Sequence, residues 1–373
     1  MPQRFMEMGS RRIGLMTDRG LVEAGVLDLV TDVFKAQPGG PVIAAIYDKI
    51  EQDATMSKIN DCARWYRENV LDGLLVVGGG SVMDSAKGVK YLLGTQGTDI
   101  KKALPGNGAL MFRPFGKPLN VPSVFVPTTA GTGSEVSNVA VIYNEDEHVK
   151  ANLIHPYIMG EIALLDPELT LSLPPWMTAA TGLDALGHAV EGMSSSEANC
   201  MSQALNIQSI KLILQYLPIA VNDGRNMEAR MKMLAASNMS IMGFSMGAML
   251  APGHNIAHAI GGKLRIPHGE AVAQAVPALM EFFPGYYLPC VSELADAFGV
   301  APTIREPLAI VAAAKERIIK LMADCGFGTQ FRMALSDSEK ADVVRAIQTD
   351  PSVQMAIPEA VLINICGKVF PSK

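Results

Sequence analysis

Short apolar runs that alternate with runs of helical period constrain this chain more than any other feature. Residues 13–17, 42–47 and 74–77 have strand length, and a longer amphipathic stretch follows each, at 21–35, 57–69 and 83–93. That order predicts βαβ units on a parallel sheet, because strands covered on both faces read as continuous apolar runs and their crossovers need a helix. A further strand is expected at 124–126. The alternation stops between Asp166-Pro167 and Pro174-Pro175, where prolines break regular structure and mark a boundary. Beyond it helical patterns dominate, at 176–193, 202–216, 227–249, 254–261, 270–282, 310–323 and 337–347. Two domains are expected, an α/β one over residues 1–170 and an all-α one over 171–373, and the length suffices for two cores.

The run at 74–77 ends in Gly78-Gly79-Gly80-Ser81, after which helical periodicity resumes. Strand, glycines, helix is the order a phosphate site requires: glycine lets the backbone approach a pyrophosphate, and the helix start offers open N–H groups at a positive dipole end. A glycine-rich turn alone is weak evidence, since tight turns also need glycine. Here a second strand end runs into Pro127-Thr128-Thr129-Ala130-Gly131-Thr132-Gly133-Ser134-Glu135, and two such loops can hold one dinucleotide. There is no GxxxxGK[ST] for ATP phosphates and no GxGxxG after the first strand. Asp18 follows that strand. It could accept from an adenine ribose and repel a 2′-phosphate, favouring NAD over NADP, or serve as a helix cap or turn residue.

If residues 179–191 form a helix, Asp184 and His188 stand one turn apart on one face, with Cβ atoms about 5–6 Å apart. His254 and His258 repeat that spacing, and His268 follows Pro267 in what reads as a loop. A carboxylate with imidazoles is a ligand set for a zinc- or iron-class ion. Single histidines on apolar helices are more often core residues, so the spacing alone leaves both readings open. Met239, Met242, Met246 and Met249 recur at helical spacing and read as adaptable core filler.

Composition narrows the partners. A net charge of −6, a pI near 5.6 and no Lys/Arg-rich run give no footprint for nucleic acid or anionic membrane, which leaves small molecules. With 49% hydrophobic and 18% charged residues, a large interior and a homo-oligomer are expected. Residues 233–262 lack Lys, Arg, Asp and Glu, but Asn238, Ser240, His254 and Pro252-Gly253 interrupt them, so a buried helix is expected rather than a membrane span. Cys62, Cys200, Cys290, Cys325 and Cys366 are widely spaced and form no CxxC pair. They read as reduced thiols of a cytoplasmic protein. The polar start of the chain suggests no secretory leader.

Several ordered motifs together carry a resemblance: Gly78 through Asp84 to Lys87, Pro127 to Glu135, Leu165-Asp166-Pro167-Glu168-Leu169, Leu173-Pro174-Pro175, Thr181 to Glu191, and His254 through Pro267-His268-Gly269. Over roughly residues 11–282 the chain resembles the iron-containing, group III alcohol dehydrogenases, relatives of glycerol dehydrogenase and dehydroquinate synthase. The resemblance implies a Rossmann-like dinucleotide-binding domain followed by an all-α metal-binding, catalytic domain, and hydride transfer between NAD (or NADP) and a small alcohol or aldehyde. It implies Asp184, His188, His254 and His268 as ligands of Fe²⁺, with Zn²⁺ the alternative, and His258 as the catalytic histidine beside the substrate. Gly79, Gly80, Ser81 and Asp84 resemble the pyrophosphate loop, and Thr128, Thr129 and Thr132 the second nucleotide loop. Lys150 resembles a lysine near the nicotinamide-side ribose, and Asp18 a ribose-reading acid.

The chain departs from the family in its short polar lead, in Ala251-Pro252-Gly253 before His254, and in its tail from Ser352. The competing readings are a dehydroquinate synthase-like lyase or cyclase, for which Lys263 and Arg265 are the obvious basic residues, a glycerol dehydrogenase-like polyol dehydrogenase, and a metal- and nucleotide-binding protein without turnover.

Overall fold

The computed structural model describes residues 1–104, 116–247, 251–350 and 355–373. They divide into two compact units, Met1–Thr129 with Ser134–Ser172, and Ala130–Gly133 with Leu173–Lys373. Residues 130–133, which a boundary at 170 would leave in the first unit, group with the second.

The first unit runs α1 (Pro2–Glu7), β1 (Arg12–Asp18), α2 (Arg19–Glu23), α3 (Val26–Lys35), β2 (Val42–Ile50), α4 (Met56–Glu68), β3 (Gly73–Gly78), α5 (Gly80–Gly94), β4 (Ser123–Pro127), β5 (Val139–Asn144), β6 (Val149–Ile154) and β7 (Ile162–Ala163). Five strands form a parallel sheet in the order β2-β1-β3-β4-β7, and β5 and β6 make a separate antiparallel pair. The central strands β3 and β4 are buried throughout, as their unbroken apolar runs require. Core residues lie on both faces: Val76, Val82, Val89 and Phe125 on one, Leu75, Val77, Val124 and Val30 on the other.

The helix expected over 21–35 is two helices, because Gly25 takes φ +72°, a left-handed turn that starts α3 afresh. The strands β5 to β7 and helix α1 were not anticipated. In β5 and β6 buried and half-buried residues alternate, the period of a strand covered on one face.

The second unit is helical: α6 (Pro175–Ser194), α7 (Cys200–Asn222), α8 (Met227–Gly247), α9 (Pro252–Leu264), α10 (His268–Phe282), α11 (Val291–Phe298), α12 (Pro307–Asp324), α13 (Asp337–Thr349) and α14 (Glu359–Val369). Its core centres on α6, buried almost without interruption from Thr178 to Ser194. Met249 and Ser352, which entered the sequence reading, lie outside the described residues. Among the described residues α7 is long and apolar enough to cross a bilayer, with a mean hydropathy of 1.3 in its most apolar window. It instead buries Ile210, Ile213 and Leu217 in the bundle core, and its Lys211 ammonium meets Asp296 at 2.7 Å.

Candidate metal centre

Helix α6 supplies the first ligand candidates. Asp184 and His188 fall on successive turns of a helix with almost no exposed surface, so both side chains are buried. Helix α9 contributes His254, buried in its first turn, and His258 one turn later. His268, expected in a loop, is instead the first residue of α10, with Pro267 as its N-cap. Proline's fixed φ fits both an N-cap, as at Pro267 with φ −55° and ψ 136°, and a loop, so Pro-His-Gly reads as a helix start as readily as a loop.

Ligand-capable atoms of Asp184, His254 and His268 all lie within 4.8 Å of one another. Asp184 Oδ1 is 3.5 Å from His254 Nε2 and 3.4 Å from His268 Nε2. His188 stands to one side: its Nδ1 is 4.0 Å from Asp184 Oδ2, outside that trio, and its ring lies 4.1 Å from the His254 ring. His258 is adjacent, its ring centroid 4.9 Å from that of His268. The Phe244 ring packs edge-on to His188 at 5.3 Å and 5.8 Å from His254, an apolar wall for the cluster.

Three polar atoms here are buried without a hydrogen-bond partner: Asp184 Oδ1, His188 Nδ1 and His254 Nε2. Each such group costs about 1–3 kcal/mol when left unmade, and a shared cation is one partner that would satisfy three so close together. The electrostatics agree. Burial pushes the Asp184 carboxyl up, but His188, His268 and His254 outweigh it and hold the group well below the ordinary carboxylate range. Burial lowers His188 to about 3, helped by His254, so its ring is neutral near pH 7. Burial also opposes charge on His254, yet Glu191 and Asp184 raise it to about 9. The donor set suits the hard-to-borderline divalent ions of the first transition row.

Glu191 is a residue the sequence reading did not single out. It is fully buried on α6 and accepts from the backbone N–H of Gly253 at 2.5 Å and of His254 at 3.1 Å, and from His254 Nδ1. Its signal was its place seven residues after Asp184, two helical turns along the same face.

In the first unit the two loops lie side by side. A Cβ on Gly79 would come 3.2 Å from Thr129 Cγ2, and the Thr128 N–H donates to Gly78 O at 3.0 Å. Gly79 caps α5 without a side-chain hydrogen bond and Gly80 opens the helix, the geometry for receiving an anion. The Ser81 hydroxyl accepts from Asp53 N–H at 3.1 Å. Asp84 braces the second loop, accepting from the Ser134 hydroxyl at 2.6 Å and from Val141 N–H at 3.1 Å. Lys150, on β6, pairs with Asp53 at 2.9 Å. Asp18 is the N-cap of α2, accepting from Leu21 N–H at 3.0 Å, and burial raises its pKa. Thr132 belongs to the segment grouped with the helical unit, where a Cβ on Gly131 would come 2.8 Å from Thr181 Cβ.

Comparison with known proteins decides the kinship. The sequence model of iron-containing alcohol dehydrogenases matches residues 1–167, and that of the family's C-terminal domain matches 178–357. The chain belongs to the iron-containing alcohol dehydrogenase family. The choline dehydrogenase of Bacillus subtilis (strain 168) is 34% identical over 294 residues, 79% of this chain and 71% of that one. Among solved structures, a 1,3-propanediol oxidoreductase superposes with a TM-score of 0.87 at 28% identity, covering 99% of this chain and 95% of the other. The sulfoacetaldehyde reductase of Bifidobacterium kashiwanohense, solved with NAD⁺, gives 0.81 at 25% identity over 98% and 93%. As a family member the protein is a metal-dependent oxidoreductase of alcohols with the Rossmann-like plus all-α architecture, and the lyase or cyclase and polyol dehydrogenase readings are not favoured.

Proposed function

We propose that the protein interconverts a small alcohol and its aldehyde, with a nicotinamide dinucleotide on the α/β unit and one divalent ion held by Asp184, His188, His254 and His268. The observation that carries this is the set of buried polar atoms without a hydrogen-bond partner on Asp184, His188 and His254, beside a third imidazole from His268. A divalent ion bound there supplies Lewis acidity that favours the charged oxygen over the neutral alcohol, and the dinucleotide supplies the hydride acceptor or donor.

The chain's own residues do the rest. Phe244 excludes water from one side of the cluster and limits the bulk admitted beside His188 and His254. His258, next to His268, receives the alcohol proton and passes it to solvent, a task suited to a residue whose ordinary pKa lies near neutrality. Gly79, Gly80 and Ser81 at the start of α5 bind pyrophosphate, and Thr128 and Thr129, with Thr132 beyond them, flank the nucleotide. Asp84 supports that second loop through Ser134. Asp18 reads the adenine ribose and selects NAD over NADP, a preference in keeping with the NAD⁺ complex of the sulfoacetaldehyde reductase. Lys150, held by Asp53, faces the nicotinamide-side ribose.

Iron is the first choice of metal on family grounds, and zinc fits the same donors. A cytoplasmic homo-oligomer fits the four buried free thiols and the exposed apolar residues Leu29, Val33, Val42 and Ile46. The test is a spectrophotometric screen of short alcohols and aldehydes with NAD(H) and NADP(H), metal-free and then with Fe²⁺ or Zn²⁺. Steady NADH formation that needs added metal is expected, and Asp184→Ala should lose both bound metal and turnover while still binding NAD. Retained turnover in Asp184→Ala would refute the ligand assignment.

A further inference from the structure

Helix α9 begins without a cap of its own. Its N-cap residue, Ala251, has no side-chain acceptor, and Pro252 has no N–H, so the first donors needing partners are the backbone N–H groups of Gly253 and His254. Both are taken by Glu191 from α6, Gly253 on Oε1 at 2.5 Å and His254 on Oε2 at 3.1 Å. The same Oε2 also meets His254 Nδ1. A Cβ on Gly253 would lie only 3.1 Å from Glu191 Oε1, so the close approach depends on that glycine.

The carboxylate thus fixes the helix start and the ring it carries with one side chain. An ionised carboxylate only accepts, so it holds an imidazole proton on Nδ1 and leaves Nε2 as the nitrogen free for an ion, 3.5 Å from Asp184 Oδ1 and without a hydrogen-bond partner.

We propose that Glu191 is the positioning residue of the metal centre, presenting His254 to the ion through Nε2 by holding the proton on Nδ1. The proposal rests on the reading of Asp184, His254 and His268 as metal ligands. Carboxylates placed behind ligating histidines in this way commonly govern metal affinity by about 10–100-fold. A purely structural role, capping α9, would instead show as lost folding stability with an unchanged affinity of the folded protein.

Glu191→Gln separates the two. The amide matches the carboxylate in size and its oxygen can still accept from Gly253 N–H, while the His254 N–H loses its acceptor at a cost in folding stability. Its NH₂ donates, however, and placed against His254 Nδ1 it drives the proton onto Nε2, where it blocks the lone pair. Zn²⁺ affinity, measured on full-length protein by competition with a chromophoric chelator at a temperature where the variant is folded, is expected to fall about 10–100-fold, well beyond any loss that the lower metal-free melting temperature explains. Zn²⁺ affinity equal to that of the wild type, or a loss that merely tracks the unfolded fraction, would overturn the proposal. A wild-type protein that binds neither Zn²⁺ nor Fe²⁺ would refute the metal-ligand reading itself.

Should Glu191→Gln not fold, ¹⁵N-histidine spectra of zinc-loaded wild-type protein decide. A protonated Nδ1 signal that disappears in His254→Ala is expected, and a His254 coordinated through Nδ1 would refute the assignment.

Discussion

Gly187 lies on α6 between Asp184 and His188, and it sets how closely α10 can approach the face that carries those two side chains. A Cβ there would fall 2.4 Å from Val272 Cγ1 and 3.4 Å from His254 Cε1. The first distance is far inside contact, and Val272 is a buried, β-branched residue with little freedom to turn aside. Gly187→Ala should gain about 1 kcal/mol in helix propensity and lose about 1–3 kcal/mol to overpacking. Because the overlap is with a stiff neighbour, the loss should win, by about 1–2 kcal/mol. For a unit of this size that lowers the melting temperature by roughly 2–8 °C.

The assay is thermal or urea unfolding of metal-free protein, so that binding does not mask the change. Val272→Ala removes the opposing methyls, so the double variant should exceed the sum of the single effects by about 1–3 kcal/mol. Zinc affinity should fall in Gly187→Ala and partly return in the double variant. Stability equal to or above wild type in Gly187→Ala, or strict additivity in the pair, would refute this account of helix contact.

Two further outcomes are expected. Asp18→Asn keeps an acceptor at the start of α2 and so costs little stability, yet it removes the charge that would repel a 2′-phosphate. Its ratio of kcat/KM for NADP over NAD should rise about tenfold, or about 1.4 kcal/mol, and an unchanged ratio would leave Asp18 as a helix cap alone. Glu135 is buried beside Lys87, and burial pushes its carboxyl up to about 7. Its folded pKa is therefore raised above the unfolded one, so its contribution is complete below the usual carboxylate range and is lost as pH rises through about 7. The loss approaches about 3 kcal/mol at about 1.4 kcal/mol per pKa unit. Melting temperatures from pH 5 to 8 should fall more steeply for wild type than for Glu135→Gln, and parallel slopes would contradict the argument.

How far the sequence reached depends on what each signal encodes. The strands at 13–17, 42–47, 74–77 and 124–126 were legible because burial on both faces leaves continuous apolar runs, and β1 to β4 extend each by at most three residues at either end. The pair β5 and β6 was missed because its one-faced burial dilutes the apolar signal with Tyr143, Lys150 and Asn152, although the period of two is present. The division of 21–35 turned on the backbone of one residue, Gly25, which no periodicity reports. Helices α11 and α14 are short and lie in the tail, where weak periodicity gave nothing to extend.

The candidate metal centre divides along the same line. Spacing placed Asp184 and His188 on one face, and that much is local geometry. Spacing could not bring α9 and α10 to that face. Two glycines permit it: Gly187, where any Cβ would strike Val272 of α10, and Gly253, where a Cβ would crowd the Glu191 carboxylate. Each is within three residues of a candidate ligand, Gly187 next to His188 and Gly253 next to His254. In a helix interior, as at Gly187, glycine costs about 0.5–1 kcal/mol relative to alanine, so a glycine there needs a compensating reason. Here the reason is a neighbouring helix or carboxylate close enough to complete the site. The placement of glycine beside Asp, His and Glu, rather than the histidine spacing alone, is therefore the part of the sequence that carries the tertiary convergence.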